Sequence, residues 1–307
     1  MRGEAQQRTT AWAFLAAIVI GASGSLPAMA EDAALVVRPP DPMDSGKLLA
    51  TGGVTQLEGA GGGGLVPWAL ITGYGTRDAI GANAHYTFVY LPQYSLHSGG
   101  AIGLFDRVEL SYDRQAFDTR AAGIKLGLGA GFTFQQDILG AKVKLVGDAV
   151  YDQDSWLPQI AAGTQYKMNN QGATIHAIGG RDSNGADFYL AATKLFLSES
   201  LLINGTIRET RANQFGILGF GGDKNNGYST EFEGSAALLL SRQLAVGAEF
   251  RTKPDNLTFA KEGHAFDVFL AYFFNKNVSA TLAFVALGDI ATQRNQNGVY
   301  ASLQVGF

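Results

Sequence analysis

The chain has 307 residues, no cysteine, 16% charged residues and a net charge of −4. It has no basic stripe, so nucleic acid is not expected as a partner, and without thiols it forms neither disulfides nor thiolate metal sites. Its 46% hydrophobic content is dispersed: runs such as Leu282–Leu287 and Phe269–Phe274 are only a strand long. A spanning helix needs ~18 uninterrupted apolar residues, so membrane residence would have to be through strands that pair all their backbone polar groups.

Arg2 and Arg8 flank the start of the chain, and Ala11–Ile20 is wholly apolar. A small-residue stretch follows and ends in Ala28-Met29-Ala30. Charged start, short apolar core and small-x-small exit make residues 1–30 a secretory signal peptide, cut after Ala30. A single membrane anchor is the competing reading, but the apolar core is too short and Gly21–Ser25 ends it. No cysteine follows the cut, which excludes a lipid anchor on that residue.

Residues 31–64 form a Pro/Gly-rich segment ahead of the main domain. Pro39-Pro40 and Pro42 lie among charges and cannot supply ladder donors. Thr51–Gly64 reads TGGVTQLEGAGGGG, eight of fourteen residues being glycine or alanine. A phosphate-binding loop would need a following Lys-Ser or Lys-Thr and a helix. Neither is present, and Leu65–Ile71 reads as a strand, so the glycines mark a flexible or close-packed backbone. Insertion of this segment into the interior of the domain would restrict it.

From Leu65 to Phe307 short alternating segments are separated by Gly/Asn/Asp/Ser clusters. In the last segment Val299, Ala301, Leu303, Val305 and Phe307 alternate with Tyr300, Ser302, Gln304 and Gly306. The same period of two sets Val108, Leu110 and Tyr112 opposite Arg107, Glu109, Ser111 and Asp113, and Val143 and Leu145 opposite Lys142 and Lys144. It also sets Phe232 and Leu238 opposite Glu231, Glu233 and Ser235, and Val246 and Phe250 opposite Glu249 and Arg251. Asn275-Lys276-Asn277 and Ser241-Arg242 predict tight hairpins. The longer polar stretches Tyr151–Ser155, Asn169–Gly172, Arg181–Asn184 and Arg251–Glu262 are assigned to the opposite rim. The count is about twelve to fourteen strands.

The predicted fold is all-β, an antiparallel transmembrane β-barrel of the outer membrane. A soluble sandwich alternates too. The barrel is favoured by the many segments that end in aromatics, by a second face bearing charges of both signs, and by glycine and alanine within strands, which suit the bends of a closed sheet.

The terminal Phe307, with apolar residues at alternate positions upstream, resembles the recognition signal of outer-membrane barrels. That resemblance implies a last strand, Val299–Phe307, read by the barrel assembly machinery and pairing with the first strand. Val305 departs from the pattern, since many such proteins carry tyrosine there. The stretch Gly46–Thr87 resembles a proteobacterial family of unknown function whose members are secreted and barrel-like. It implies no activity, cofactor or ligand-binding residue.

The four histidines, His85, His97, His176 and His264, show no ligand spacing. An embedded hydrolase would need a nucleophile or paired carboxylates with an oriented histidine. Candidate acids are Asp106, Asp113, Asp152 and Asp154, but no Gly-x-Ser-x-Gly elbow gathers them. Tyr151–Ser155 has acid spacing loosely like a calcium loop, without the glycine and terminal glutamate such a loop requires. No catalytic residue, metal or cofactor is expected.

The expected role is a passive or gated channel for small polar solutes, in contact with outer-membrane lipid. Lumen-facing candidates are Arg107, Glu109, Lys142, Lys144, Glu231, Glu233, Glu249 and Arg251. Their mixed signs argue against strong ion selectivity. The alternatives are a structural or interaction barrel without transport, a membrane-embedded hydrolase and a soluble periplasmic β protein.

Overall fold

Residues that alternate at period two give an extended segment one apolar and one polar face. In the computed structural model, which describes residues 46–92, 94–98 and 101–307, such segments pair edge to edge into one closed antiparallel sheet. Residues 1–30, expected from the sequence to be a signal peptide cut after Ala30, lie outside the described residues, Ala28 and Ala30 among them.

A two-stranded ribbon comes first, β1 (Val54–Thr55) with β2 (Gly61–Gly62). The wall follows: β3 (Ile80–Tyr90), β4 (Ser95–Ser98), β5 (Ala101–Leu104), β6 (Val108–Asp118), β7 (Thr133–Val146) and β8 (Gln159–Asn169). It continues through β9 (Asn184–Phe196), β10 (Leu201–Thr210), β11 (Ser229–Leu239), β12 (Leu244–Arg251), β13 (Ala265–Phe273), β14 (Val278–Ala286) and β15 (Asn297–Gly306). Each wall strand pairs with its sequence neighbour, and β4 and β5 share one position between β3 and β6. Pairing of β15 with β3 closes a barrel of twelve strand positions. Closure leaves no edge, the condition for crossing lipid with strands. Two short helices, Ala122–Lys125 and Gly172–Ala177, lie in loops.

The apolar face points out. Leu110, Leu139, Leu190, Ile203, Leu238, Val268, Leu270, Leu282 and Leu303 are all exposed on the outer wall. Aromatics bound this belt at both ends: Phe250, Phe266 and Phe284 near one rim, and Phe105, Tyr272 and Phe274 near the other. An outward apolar band between aromatic girdles is what bilayer contact requires. A soluble sandwich would place the same residues between two sheets, and here they face away from the interior. Leu282, at the middle of β14 between Leu270 and Ala301, offers a direct check. Leu282→Arg is expected to cost about 2–4 kcal/mol in lipid vesicles, read from urea unfolding. A cost near zero would place this face in water.

The two rims differ. Tight turns at 105–107, 197–200, 240–243 and 274–277 lie on the rim that also carries Phe307 and the base of the N-terminal segment. Loops 119–132, 170–183, 211–228, 252–264 and 287–296 lie on the other. Loop 147–158, which contains Tyr151–Ser155, corrects the sequence assignment. It sits on the short-turn rim, where the Leu48 N–H donates to the Tyr151 hydroxyl at 3.0 Å.

Leu65–Ile71 is a second correction. It is not a wall strand; the wall begins at Ile80. Residues 51–75 are buried without interruption and run up inside the barrel, turn, and come back. Pro67 supplies the reason within the sequence: it cannot donate to a central ladder, and its carbonyl instead accepts from the lumen-facing Thr206 hydroxyl at 2.9 Å.

Candidate functional site in the lumen

The N-terminal segment is a hairpin plug. At the short-turn rim Lys47 donates to the Ile71 carbonyl at 2.9 Å and pairs with Asp106 at 2.7 Å. Lys144 pairs with the same Asp106. The returning arm is anchored where the Tyr74 N–H donates to the Phe307 carbonyl at 3.0 Å.

Above this base the plug meets the wall largely through its backbone, which glycine leaves open to approach. Glu109 accepts from the Gly61 and Thr72 N–H groups, each at 2.9 Å. Lys142 pairs with Glu109 at 3.0 Å and donates to the Gly61 and Trp68 carbonyls at 2.8 and 3.1 Å. Glu249 accepts from the Leu65 N–H at 2.6 Å and from the Ser235 hydroxyl at 2.7 Å, and Ser235 accepts from the Trp68 indole at 2.9 Å. Beside Glu249 across the β12–β13 pair lies buried Asp267, so two carboxyl groups adjoin inside the wall.

The strongest concentration of charge surrounds the plug tip. Glu58 pairs with Lys167, with Arg251 at 2.6 Å and, more distantly, with Arg208 at 4.0 Å. Two wall carboxylates separate these cations. Asp187 lies between Lys167 at 2.7 Å and Arg208 at 3.3 Å, and Glu233 lies between Arg208 at 2.5 Å and Arg251 at 3.1 Å. All six side chains are buried. These ion pairs join three wall cations to two wall carboxylates and to the plug's Glu58, and a further buried wall carboxylate, Asp113, lies beside Gly59 of the plug tip.

From the long-loop rim a second element folds in. The tight turn Asn213–Gly216 holds Gln214 and Phe215 at φ 47° and 60°. It places the Phe215 carbonyl against Lys167 at 3.1 Å. Glu262 accepts from the Gln214 N–H at 3.0 Å and pairs with Lys253 at 3.1 Å, tying this turn to loop 252–264. Between plug tip and turn lies an apolar cavity of about 30 Å³ lined by Leu57, Val89, Leu91, Phe215 and Leu287. Toward the short-turn rim the inner wall is apolar as well, where Leu195, Leu202, Phe269 and Phe273 surround Val54 and Trp68.

Of the sequence candidates, Glu109, Lys142, Glu233, Glu249 and Arg251 are buried in the lumen. Lys144 is partly buried at the rim and Glu231 is half-buried at the opposite end of its strand. Arg107 is corrected: it is exposed in the turn before β6 rather than facing the lumen. Lys167, Asp187 and Glu58 were not among the candidates. The first two carry a signal, since Gln165, Lys167 and Asn169 alternate with Thr164, Tyr166 and Met168, and Asp187 sits between Ala186 and Phe188. Val299, Ala301, Leu303 and Val305 lie on β15, the closing strand, and Phe307 immediately follows it.

A closed antiparallel barrel with a lipid-compatible outside and a charged inside defines an outer-membrane β-barrel protein. The chain belongs to the family described as "Protein of unknown function (DUF3034)", matched over residues 51–304. No curated protein matches it. Among solved structures it is similar to the KdgM porin, at 11% identity and a TM-score of 0.46, covering 73% of this chain and 99% of that one. It is also similar to the COG4313 outer membrane channel from Pseudomonas putida F1, at 11% identity and a TM-score of 0.43, covering 79% and 97%. Outer membrane phospholipase A from Escherichia coli matches at 10% identity and a TM-score of 0.40, covering 76% and 94%.

Proposed function

We propose that the protein is a gated outer-membrane channel for small polar solutes, closed in the described state by the hairpin of residues 46–79. The observation that carries this reading is the middle of the lumen. There Lys142, Lys167, Arg208 and Arg251 with Glu109, Asp187 and Glu233 line the wall, and the plug meets them through backbone amides and one carboxylate. Such a wall suits water and polar solutes once the hairpin withdraws. The plug is narrow and enters from the short-turn rim, which in this class faces the periplasm.

A second reading, a closed structural barrel, is favoured by the apolar packing of Val54 and Trp68 against Leu195, Leu202 and Phe269. Purified wild-type protein in planar bilayers separates the two. A gated channel gives discrete, infrequent conductance steps. Repeated insertion without any step, while heat-modifiable gel mobility is retained, leaves the structural barrel.

A further inference from the structure

We infer that Lys167, Arg208 and Arg251 form a binding site for the carboxylate group of a small solute, and that Glu58 occupies this site as a built-in substitute while the lumen is closed.

The argument is one of charge balance and geometry. Asp187 and Glu233 each sit between two of the three cations, so within this set of ion pairs the wall supplies three positive groups against two negative ones. Glu58 meets that surplus with both oxygens, one toward Lys167 and the other toward Arg251, with Gln56 donating to the second at 3.1 Å. None of the three cations is exposed to solvent in the closed state. Withdrawal of the plug exchanges Glu58 for water at these cations, so an anion that binds in its place stabilises the withdrawn state beyond what water alone does. Guanidinium groups match planar carboxylates better than spherical ions, which makes a carboxylate-bearing solute a better replacement than chloride. Such a solute would bind only the plug-withdrawn state and therefore shift the population toward it. Opening and solute recognition would then be one event. The binding site stands independently of conduction; the coupling to opening rests on the channel reading.

The test removes the built-in occupant and supplies a free one. Glu58→Ala in lipid vesicles is titrated with sodium acetate against sodium chloride at equal ionic strength, reading the unfolding temperature. Acetate should raise it saturably, by roughly a few degrees, and leave the wild type unchanged. Glu58→Ala/Arg251→Gln restores the balance of two cations and two carboxylates. It should be more stable than the single variant without acetate and should no longer respond to it. If Glu58→Ala is recovered only unfolded, its refolding yield in acetate against chloride is the readout. Equal effects of acetate and chloride would overturn the site. Acetate rescue without acetate flux into vesicles would keep the site and overturn the channel; flux without selective rescue would do the reverse.

Discussion

Glu58→Lys should convert a closed barrel into a persistently conducting one. The substitution puts a fourth cation at the point where Lys167, Arg208 and Arg251 converge on the plug tip. Breaking a buried ion pair by losing one partner costs about 3–5 kcal/mol, and reversal adds repulsion to that loss. The cost falls only on the plug-in state, because a withdrawn hairpin carries its lysine into water. Even about 3 kcal/mol shifts the ratio of withdrawn to docked plug by more than ~100-fold. Single-channel recording should therefore show long openings where the wild type shows rare ones. Glu58→Gln, which removes the charge without reversing it, should fall between. The wall is untouched in both variants, so heat-modifiable mobility should be preserved. A Glu58→Lys protein that folds normally and stays closed would mean that the plug is held by its apolar base around Val54 and Trp68 rather than by its tip.

That dependence on one glutamate was not legible in the sequence, while most of the wall was. Alternation in β6, β7, β11, β12 and β15 shows directly which residues share a face, because the pleat turns successive side chains to opposite sides. Tight turns at Ser241-Arg242 and Asn275–Asn277 fix the hairpins. The lumen set was incomplete where a strand was not delimited: Asp187 lies in β9, whose run Ala186, Phe188 and Leu190 alternates as cleanly as the others. Arg107 failed for a different reason. It continues the period of Glu109 and Ser111, but the wall strand starts one residue later at Val108, and in a turn the parity rule no longer sets direction. For the plug, insertion of the glycine-rich segment into the interior is expected from the sequence, but its partners are not legible there. A strand announces its neighbours through its period, whereas Thr51–Gly64 shows none; its ribbon pairs the segment with itself, and its partners Glu109, Lys142, Lys167 and Glu249 lie far along the chain. The sequence shows only that the backbone there is bare enough for another element to approach. What approaches is a matter of tertiary geometry.

Bare backbone also makes the second large prediction, a contrast between two glycines. Gly62 lies in the plug ribbon against its own returning arm. A Cβ there would lie 2.4 Å from the Val66 carbonyl oxygen, 2.6 Å from the Trp68 nitrogen and 2.9 Å from the Pro67 Cα. All three are backbone atoms, so no side-chain rotation relieves the clash. Gly62→Val must spread the two arms of a hairpin that the wall already encloses. Overpacking a filled interior costs about 1–3 kcal/mol, and an obstacle made of backbone pushes toward the upper figure. At about 3 kcal/mol the docked plug again loses more than ~100-fold in population. The expected reading is a rise in channel openings comparable with that of Glu58→Lys, together with a higher apparent affinity for acetate, because the withdrawn state that binds it is already more populated. Gly205, in β10, faces outward and has no atom within 4 Å of an added Cβ. Gly205→Val adds an apolar, β-branched side chain to a lipid-facing strand, which favours the strand. It should leave both conductance and unfolding within experimental error of the wild type, or stabilise slightly. If the two variants behave alike, closure does not depend on the narrowness of the hairpin. The lumen would then have to be shut from the other rim, by the turn that carries Gln214 and Phe215.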